Sequence, residues 1–309
     1  MQLHTQPKQA KNKTAPATTP GAGEISPRQR YLGYFLLILG GSCWGLTGFL
    51  GLSVKDQGVS ALEVAFWRAL IGGALFALQA IISNRWRAKT SDRLIFMAFG
   101  LPGVAVLFGG YQIAAREVGM GMATILQYTA TAWTVLWGVV LFKERLTRWK
   151  IIAASMAFGG AALICLSGGT VILGITPLGV GVALLTGFCY SLHSPFSKKF
   201  MQRYSPITIY MHTMLMGALF LMPFVDFADK DVYIWLQLVV LSFVTVWAGY
   251  WAYLEGVKRV EVSKVGVLSA SEPLVSALVG FLIFSEVFTF WGWVGCVVVV
   301  CAVVMSIRK

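Results

Sequence analysis

The sequence Leu141-Phe-Lys-Glu-Arg-Leu-Thr-Arg-Trp149 recurs in altered form as Ile283-Phe-Ser-Glu-Val-Phe-Thr-Phe-Trp291. The two copies share the pattern Phe-x-Glu-x-x-Thr-x-Trp, which aligns Glu144 with Glu286, and each copy lies between two long apolar runs. Chance similarity among apolar helices is the alternative explanation, and the shared pattern argues against it. The recurrence therefore predicts an internal repeat.

Ten apolar runs follow one another along the chain outside its first 30 residues. The chain has 309 residues, of which 57% are hydrophobic and only 12% charged, whereas about a quarter of a soluble domain is charged. Each run is close to the roughly 20 residues that a membrane-spanning helix needs. We therefore predict an all-α integral membrane protein with ten transmembrane helices, at 31–53, 62–83, 94–115, 118–142, 147–167, 178–199, 207–225, 233–254, 262–284 and 289–307. The separation at Arg116–Gly119 is short, and a re-entrant segment would reduce the count to eight or nine.

Lysine and arginine residues are distributed unevenly among the connections. If the N-terminus lies inside, the inside segments carry 21 of the 25 Lys and Arg residues. The outside connections carry Lys55, Arg116 and Lys230, and Arg68 lies within a span. This asymmetry follows the positive-inside rule. It predicts a multi-pass protein of the bacterial cell (inner) membrane with cytoplasmic N- and C-termini.

The repeat and the helix count together predict the organisation of the chain. Residues 1–30 contain little to bury and are predicted to be a disordered cytoplasmic tail. The first repeat is 31–168 and the second is 177–307, with five helices each. Because five is odd, the second repeat must be inserted upside down. Inverted repeats are typical of secondary transporters, whose substrate sites lie near the midplane between the repeats.

The sequence offers little support for other function classes. The net charge of +12 resides in short clusters without a recognition motif, which argues against nucleic acid as a partner. Zinc signatures, phosphate-binding loops and serine-nucleophile motifs are not found, so we predict no cofactor and no metal. A membrane-embedded enzyme acting on lipid or prenyl substrates remains a weaker alternative, as does a sensor without transport.

Several motifs resemble a known family. Gly41-Ser-Cys-Trp-Gly-Leu-Thr-Gly48, Phe66-Trp-Arg68 and Ser271-Glu-Pro-Leu274, followed by Ser285-Glu286, are similar to the drug/metabolite transporter superfamily in its ten-helix form with two EamA-type repeats. The resemblance covers residues 31–307 and implies transport of amino acids or other small metabolites, mostly by export. Aromatic amino acid exporters of the YddG type are among the relatives. Thr129-Ala-Thr131 stands where many relatives carry a proline, so a helix break is expected more strongly in the ninth helix than in the fourth.

Ionisable residues within the spans are the sharpest indication of a site, because a charge in hydrocarbon is costly unless it is paired or functional. Glu272 lies roughly 15 Å into its helix, near the bilayer centre. Pro273 follows it and predicts a helix break there. We hypothesise that Glu272 holds a substrate amine or takes up a coupling proton; a protonated structural residue is the alternative. Arg68 could bind a substrate carboxylate, although its position near the outer surface favours capping of helix carbonyls or snorkelling outward.

His193 and five aromatic residues complete the candidates. His193 and His212 lie on consecutive helices, where a proton relay or a simple interhelical hydrogen bond is possible. Five Trp and Tyr residues lie inside the spans instead of at the membrane interface, which favours a polar cavity or ordinary packing. The predicted substrate-binding residues are Trp44, Arg68, Tyr128, Tyr190, His193, Trp247, Tyr250, Ser271 and Glu272.

These observations predict a secondary transporter that works by alternating access and exports amino acids or related solutes. Its predicted partners are a small-molecule substrate, the lipid bilayer and protons as a coupling ion. Uptake, or export of drugs and cationic metabolites, is the alternative within the same fold.

Overall fold

The computed structural model describes residues 26–55, 57–167, 176–283 and 289–308, and these residues form ten helical rods and no strand. The rods are α1 (Pro27–Gly45 continuing as Thr47–Lys55), α2 (Ala61–Ile82), α3 (Thr90–Val118), α4 (Met120–Phe142), α5 (Arg148–Ser167), α6 (Pro177–Phe200), α7 (Pro206–Phe224), α8 (Val232–Val257), α9 (Val262–Ile283) and α10 (Phe290–Arg308). The predicted ten-helix fold is confirmed. Of the predicted tail, residues 1–25 lie outside the described residues, and Pro27 already begins α1 because Ser26 caps it.

Hydroxyl and carboxylate side chains explain where several helices begin. Ser60 accepts a hydrogen bond from the backbone N–H of Glu63 at 3.1 Å, and Thr176 accepts one from Gly179 at 3.1 Å. Asp231 does the same for Ile234 at 2.8 Å. Each side chain satisfies a backbone donor that the first helical turn leaves unpaired.

Helix α6 differs from the other nine rods. In the described part of the chain, length and composition make the nine others apolar enough to cross a membrane. Helix α6 is more polar, and five of its uncharged polar residues are buried against protein. They are Thr186, Ser191, His193, Ser194 and Ser197. A helix that is surrounded by other helices can therefore span the bilayer with less apolar surface.

The contacts between helices repeat with a two-fold pattern. Helices that occupy the same place in the two halves pack on each other: α2 on α7, α4 on α9 and α5 on α10. Other contacts occur in matched pairs. Thus α1 packs on α8 as α6 packs on α3, and α1 packs on α9 as α6 packs on α4. This is the packing expected of two five-helix repeats related by a pseudo-two-fold axis.

Corresponding helices are also interrupted at corresponding places. The third helix of each half contains a widened, π-helical segment, Leu101–Gly110 in α3 and Phe243–Ala248 in α8. The fourth helix of each half is broken, α4 after Gln127 and α9 after Leu268. Such irregular backbone is tolerated in membranes where protein or a cavity surrounds it. The interruptions therefore direct attention to the centre between α4 and α9.

The sequence predicted a helix break more strongly in α9 than in α4, because α4 lacks the proline. The structure shows that α4 is broken as well. The N–H groups of Thr129 and Thr131 bond the carbonyls of Leu126 and Tyr128 at 3.2 and 3.0 Å, three residues back. The hydroxyls of the same threonines bond the same two carbonyls, at 2.7 and 2.9 Å. Threonine hydroxyls thus satisfy backbone acceptors at the break. Pro273 lies just beyond the α9 break, in the first turn of Ser271–Ile283, where its missing N–H costs little.

Glycines let the first helix of one half cross the broken helix of the other. A Cβ on Gly41 of α1 would lie 2.6 Å from the Ser269 carbonyl oxygen at the α9 break. A Cβ on Gly187 of α6 would lie 2.8 Å from the Gln127 carbonyl oxygen at the α4 break. Small residues at such crossings let backbones approach closely.

We expect Gly187→Ala to lower the thermal stability of the protein in detergent, because the methyl group would displace the backbone at the α4 break. Overpacking of this kind costs about 1–3 kcal/mol. Gly181→Ala is the matched control on the same helix, since a Cβ there meets nothing within 4 Å. Thermal unfolding followed by tryptophan fluorescence measures both. Equal unfolding temperatures for the two variants would contradict the close crossing.

The first copy of the repeated motif joins the two halves at the basic end of the bundle. The carboxylate of Glu144 accepts hydrogen bonds from the backbone N–H groups of Val262 and Ser263, at 2.7 and 3.1 Å, and from the Ser263 hydroxyl. Lys150 lies 3.5 Å from Glu144 and 3.0 Å from Glu261. Glu144 therefore caps the N-terminus of α9 from the end of α4. Glu286, its counterpart in the second motif, lies outside the described residues.

We expect Glu144→Ala to destabilise the fold by about 1–3 kcal/mol, because it leaves the first N–H groups of α9 without an acceptor. Glu261→Ala is the control, since the Glu261 side chain is half exposed and an exposed ion pair contributes at most about 1 kcal/mol. Thermal unfolding of the purified variants gives the comparison. A larger loss of stability in Glu261→Ala would refute the capping role.

Candidate functional site

Glu272 lies in the first turn of the second piece of α9, directly after the break. The adjacent Ser271 hydroxyl donates a 2.9 Å hydrogen bond to the carbonyl of Ile38 on α1. The Glu272 side chain is half-buried, and the hydroxyls of Tyr128 on α4 and Tyr190 on α6 face its carboxylate. The helix N-terminus also favours a negative charge at this position. Three helices from both halves therefore converge on one carboxylate.

Arg68 is a basic residue within electrostatic reach of the Glu272 carboxylate, yet the two side chains form no ion pair. Its side chain is only 9% exposed and its guanidinium lies 5.0 Å from the centroid of the Phe108 ring. The Nε of Arg68 has no hydrogen-bond partner among the described residues. Described carboxylates within 4.0 Å of a basic nitrogen are those of Glu63, Glu144, Glu255 and Glu261. Arg68 and Glu272 are thus within electrostatic reach of each other but farther apart than 4.0 Å.

Aromatic rings form a wall beside these two charges. The ring of Trp44 on α1 lies 5.7 Å from Tyr190, 4.9 Å from Tyr250 and 5.1 Å from Tyr253. Tyr250 and Tyr253 come from α8, so the wall joins α1, α6 and α8. Aromatic faces can hold a cation or an apolar side chain.

Unpaired polar atoms are concentrated in this region. Among the described residues, five buried side-chain atoms have no hydrogen-bond partner. They are Trp44 Nε1, Arg68 Nε, the Tyr128 hydroxyl, the Ser205 hydroxyl and the Ser269 hydroxyl. Buried polar groups are almost always bonded, so a cluster of exceptions points to water or a ligand. Four of the five belong to residues at or next to the centre.

His193 is placed differently from the other predicted residues. It is fully buried, with Nδ1 2.5 Å from the Tyr210 hydroxyl and Nε2 2.8 Å from the carbonyl oxygen of Gly103. Gly103 lies in the widened segment of α3. A carbonyl can only accept, so Nε2 donates, and a neutral imidazole satisfies both bonds. This is the interhelical hydrogen bond that the sequence left open, whereas His212 bonds the Thr208 carbonyl of its own helix.

The ring stacking and the hydrogen bond of Trp247 both involve residues outside the aromatic wall. Its ring stacks on Phe243 at 4.9 Å and its Nε1 donates a 2.9 Å hydrogen bond to the side chain of Gln79. These contacts tie α8 to α2. Substrate binding by Trp247 and His193 stays a prediction that the contacts do not support.

Two central residues were missed from the sequence. Tyr253 lies three residues after Tyr250, which places both on one helix face. Ser269 precedes the Ser271-Glu272 motif and lies at the α9 break itself. The three-residue spacing could have indicated Tyr253, while nothing in the sequence marks Ser269 as unpaired. Among the described residues, no three His, Cys, Asp or Glu side chains are grouped to hold a metal ion.

Comparison with known proteins identifies the family that has this architecture. Ten packed helices built from two repeats define a multi-pass membrane protein, and both repeats match the model of the EamA-like transporter family, at residues 31–166 and 177–308. The chain belongs to the EamA-like transporter family.

Its relatives match most of the chain at low sequence identity. An "uncharacterized transporter" of Archaeoglobus fulgidus is 23% identical over 280 residues, covering 89% of this chain and 99% of that protein. A "probable terminal-alkyne amino-acid exporter" of Streptantibioticus cattleyicolor is 22% identical over 250 residues, covering 78% and 82%. A solved crystal structure superposes with a TM-score of 0.77 at 20% identity, covering 91% of this chain and 96% of that one, and shows a shared fold.

Proposed function

We propose that this transporter exports amino acids or closely related zwitterionic solutes across the bacterial cytoplasmic membrane by alternating access, with both termini in the cytoplasm. One observation carries the proposal. The buried guanidinium of Arg68 and the carboxylate of Glu272 share an aromatic-lined centre without forming an ion pair. An amino acid presents a carboxylate and an ammonium group that complement these two charges.

The chemistry of the two residues suits those roles. Arginine binds carboxylates through two parallel N–H donors, and the free Nε of Arg68 is one such donor. A carboxylate binds an ammonium group, and the rings of Trp44, Tyr190 and Tyr250 would add cation–π attraction. The Streptantibioticus relative, which is named a probable amino-acid exporter, is consistent with amino acid export as the direction.

A cation exporter is the second candidate, and the aromatic wall beside Glu272 favours it. A cationic metabolite or drug would use Glu272 and the rings of Trp44 and Tyr190. Arg68 would then face a cation, which is unfavourable. The two candidates therefore differ in whether transport needs a substrate carboxylate.

The test is release from proteoliposomes that contain entrapped radiolabelled amino acids, with unlabelled competitors and an imposed pH gradient. We expect release of one amino acid class, competition by zwitterions, and acceleration by the gradient if Glu272 exchanges the substrate amine for a proton. Release that amines inhibit as well as amino acids do would favour the cation exporter. Failure of every amino acid to move would overturn the proposal.

A further inference from the structure

The two broken helices pack on each other at only one of their ends. The second piece of α4, Ala130–Phe142, lies against the first piece of α9, Val262–Leu268, at the basic end of the bundle. Within the described residues, the first piece of α4, Met120–Gln127, and the second piece of α9, Ser271–Ile283, are not packed on each other. Helices α4 and α9 therefore close the centre toward the basic end and leave it unclosed toward the opposite end.

Small residues make this basic-end contact possible. A Cβ on Gly266 of α9 would lie 2.5 Å from Oγ1 of Thr134 on α4. A Cβ on Gly138 of α4 would lie 2.9 Å from the backbone nitrogen of Ser263 on α9. The carboxylate of Glu144 adds hydrogen bonds to the first N–H groups of α9. Two helices approach this closely only where the side chains between them are small.

The internal repeat supplies small residues at the opposite end as well. The repeated motif aligns Leu141 with Ile283, so corresponding positions of α4 and α9 differ by 142 (283 − 141). This offset relates the four residues of the basic-end contact to four small residues in the pieces that lie apart. The corresponding positions are Thr134 and Ser276, Gly266 and Thr124, Gly138 and Gly280, and Ser263 and Gly121. The pieces that lie apart can therefore form the same kind of contact.

Thr124 and Ser276 do not make this contact in the present structure. Ser276 is exposed, whereas its counterpart Thr134 is 4% exposed. Thr124 is half-buried, and its hydroxyl bonds the Met120 carbonyl and the Tyr111 hydroxyl, both at 2.8 Å. These bonds hold Thr124 to α3 and to its own helix, and α9 takes no part in them. The small face of α4 at this end therefore remains available to α9.

We propose that the protein has a second state in which the first piece of α4 packs on the second piece of α9, with Thr124 against Ser276, while the basic-end contact separates. Inverted repeats allow such an exchange, because the two halves share one fold and can adopt each other's conformations. Similar contacts at the two ends keep the two states close in free energy, so that both are populated.

This second state deepens the proposed function, on which it rests. Alternating access needs one state open to each side of the membrane, and the present structure has α4 and α9 in contact at the basic end alone. In the proposed orientation the basic end is cytoplasmic, so an exported solute enters the centre in the second state. Thr124 and Ser276 are then the residues that close the opposite end while the solute enters.

A disulfide between the two positions tests the second state. Thr124→Cys and Ser276→Cys are combined in a chain whose five native cysteines are replaced by alanine. Because a disulfide requires the two side chains to meet, we expect oxidation to link the pair only when the proposed contact forms. The linked protein should lose counterflow in proteoliposomes, since it cannot alternate, and a reductant should restore it.

Thr124→Cys combined with Leu278→Cys is the matched control. Leu278 lies on the same piece of α9 and is exposed, and its counterpart on α4, Leu136, is also exposed instead of facing α9. This pair should not cross-link, and the oxidant should leave its counterflow unchanged.

Hydrogen–deuterium exchange shows whether the cross-link opens the basic end. The N–H groups of Val262 and Ser263 bond the Glu144 carboxylate here, at 2.7 and 3.1 Å. We expect residues 262–268 to exchange faster in the cross-linked protein than in the reduced protein, because the basic-end contact has separated. A cross-link that merely obstructed the centre would leave this distant exchange unchanged.

Ser276→Trp in the otherwise native chain gives an independent measurement. The large side chain fits at an exposed position of the present structure but would prevent the second contact. Exchange at residues 262–268 should then be slower than in the wild type, because the basic end opens less often. Leu278→Trp is the control and should exchange as the wild type does.

Three results would each overturn the second state. They are a Thr124→Cys/Ser276→Cys pair that does not cross-link, a cross-linked protein whose exchange at residues 262–268 is unchanged, and a Ser276→Trp protein that exchanges as the wild type does. The last of these decides the matter if the cysteine-free chain does not fold. The exchange measurements require no substrate. Failure of every amino acid to move would therefore refute the proposed substrate, while exchange still decides whether the second state exists.

Discussion

Replacing Glu272 by glutamine is expected to raise the amino acid concentration for half-maximal transport at least about 30-fold and to abolish the response to a pH gradient. Removing one partner of a desolvated charge pair costs about 2–5 kcal/mol, and each 1.4 kcal/mol is a tenfold change in affinity. The amide keeps the size of the side chain, so the Tyr128 and Tyr190 hydroxyls still meet a polar group. Initial rates of counterflow, measured against amino acid concentration, give the concentration for half-maximal transport. Initial rates of gradient-driven release give the response to the pH gradient.

Asp229→Asn is the matched control, because it removes one carboxylate from an exposed position in the α7–α8 connection. We expect it to transport at the wild-type rate. A Glu272→Gln variant with unchanged affinity and unchanged pH dependence would remove both proposed roles of this residue. Loss of the gradient response with unchanged affinity would leave Glu272 as the proton carrier only.

Replacing Arg68 by glutamine is expected to change which substrates are transported. Affinity for an amino acid should fall at least about 30-fold by the same charge-pair argument. Affinity for the corresponding amine, which lacks the carboxylate, should fall little or even rise, because the repulsion from the guanidinium disappears. Arg68→Lys should recover only part of the loss, since lysine cannot offer two parallel donors. Inhibition of counterflow by each compound gives the affinities.

Arg116→Gln is the control for this variant, since Arg116 is an exposed arginine near the end of α3. It should leave both affinities unchanged. If Arg68→Gln weakened the amine and the amino acid equally, the guanidinium would be a structural group and the carboxylate recognition would be wrong.

The fold was predictable because each membrane-spanning helix has features that can be identified in its own stretch of sequence. A membrane span needs a certain apolar length and a basic inner flank. Helix α6 is more polar than the other helices, but it keeps the length of a span, from Pro177 to Phe200, and the basic flank, Lys198 and Lys199. The α4 break was less predictable, because Thr129 and Thr131 stabilise it through side-chain bonds to nearby carbonyls. Threonine makes such bonds in unbroken helices as well, so its presence does not indicate a break.

The candidate site was predictable only where a residue type is costly in a membrane. Glu272 and Arg68 stand out for that reason, and the structure brings them to one centre with Tyr128 and with Trp44, whose ring contacts Tyr190. Trp247 was indistinguishable from Trp44 in the sequence, since both lie inside spans. The two tryptophans differ in the neighbours that their helix faces contact. Those neighbours belong to distant segments of the chain, as in the contact of Trp247 with Gln79, and the sequence does not reveal them.

The most direct test of the central claim is binding of one amino acid, its decarboxylated amine and its deaminated acid to the purified wild-type protein, measured by calorimetry. The side chain is constant across the series, so only the two charged groups change. We predict that the amino acid binds at least about tenfold more tightly than either derivative, because Arg68 and Glu272 each hold one group. An amine that binds as tightly as the amino acid would contradict the zwitterion site and identify a cation site instead.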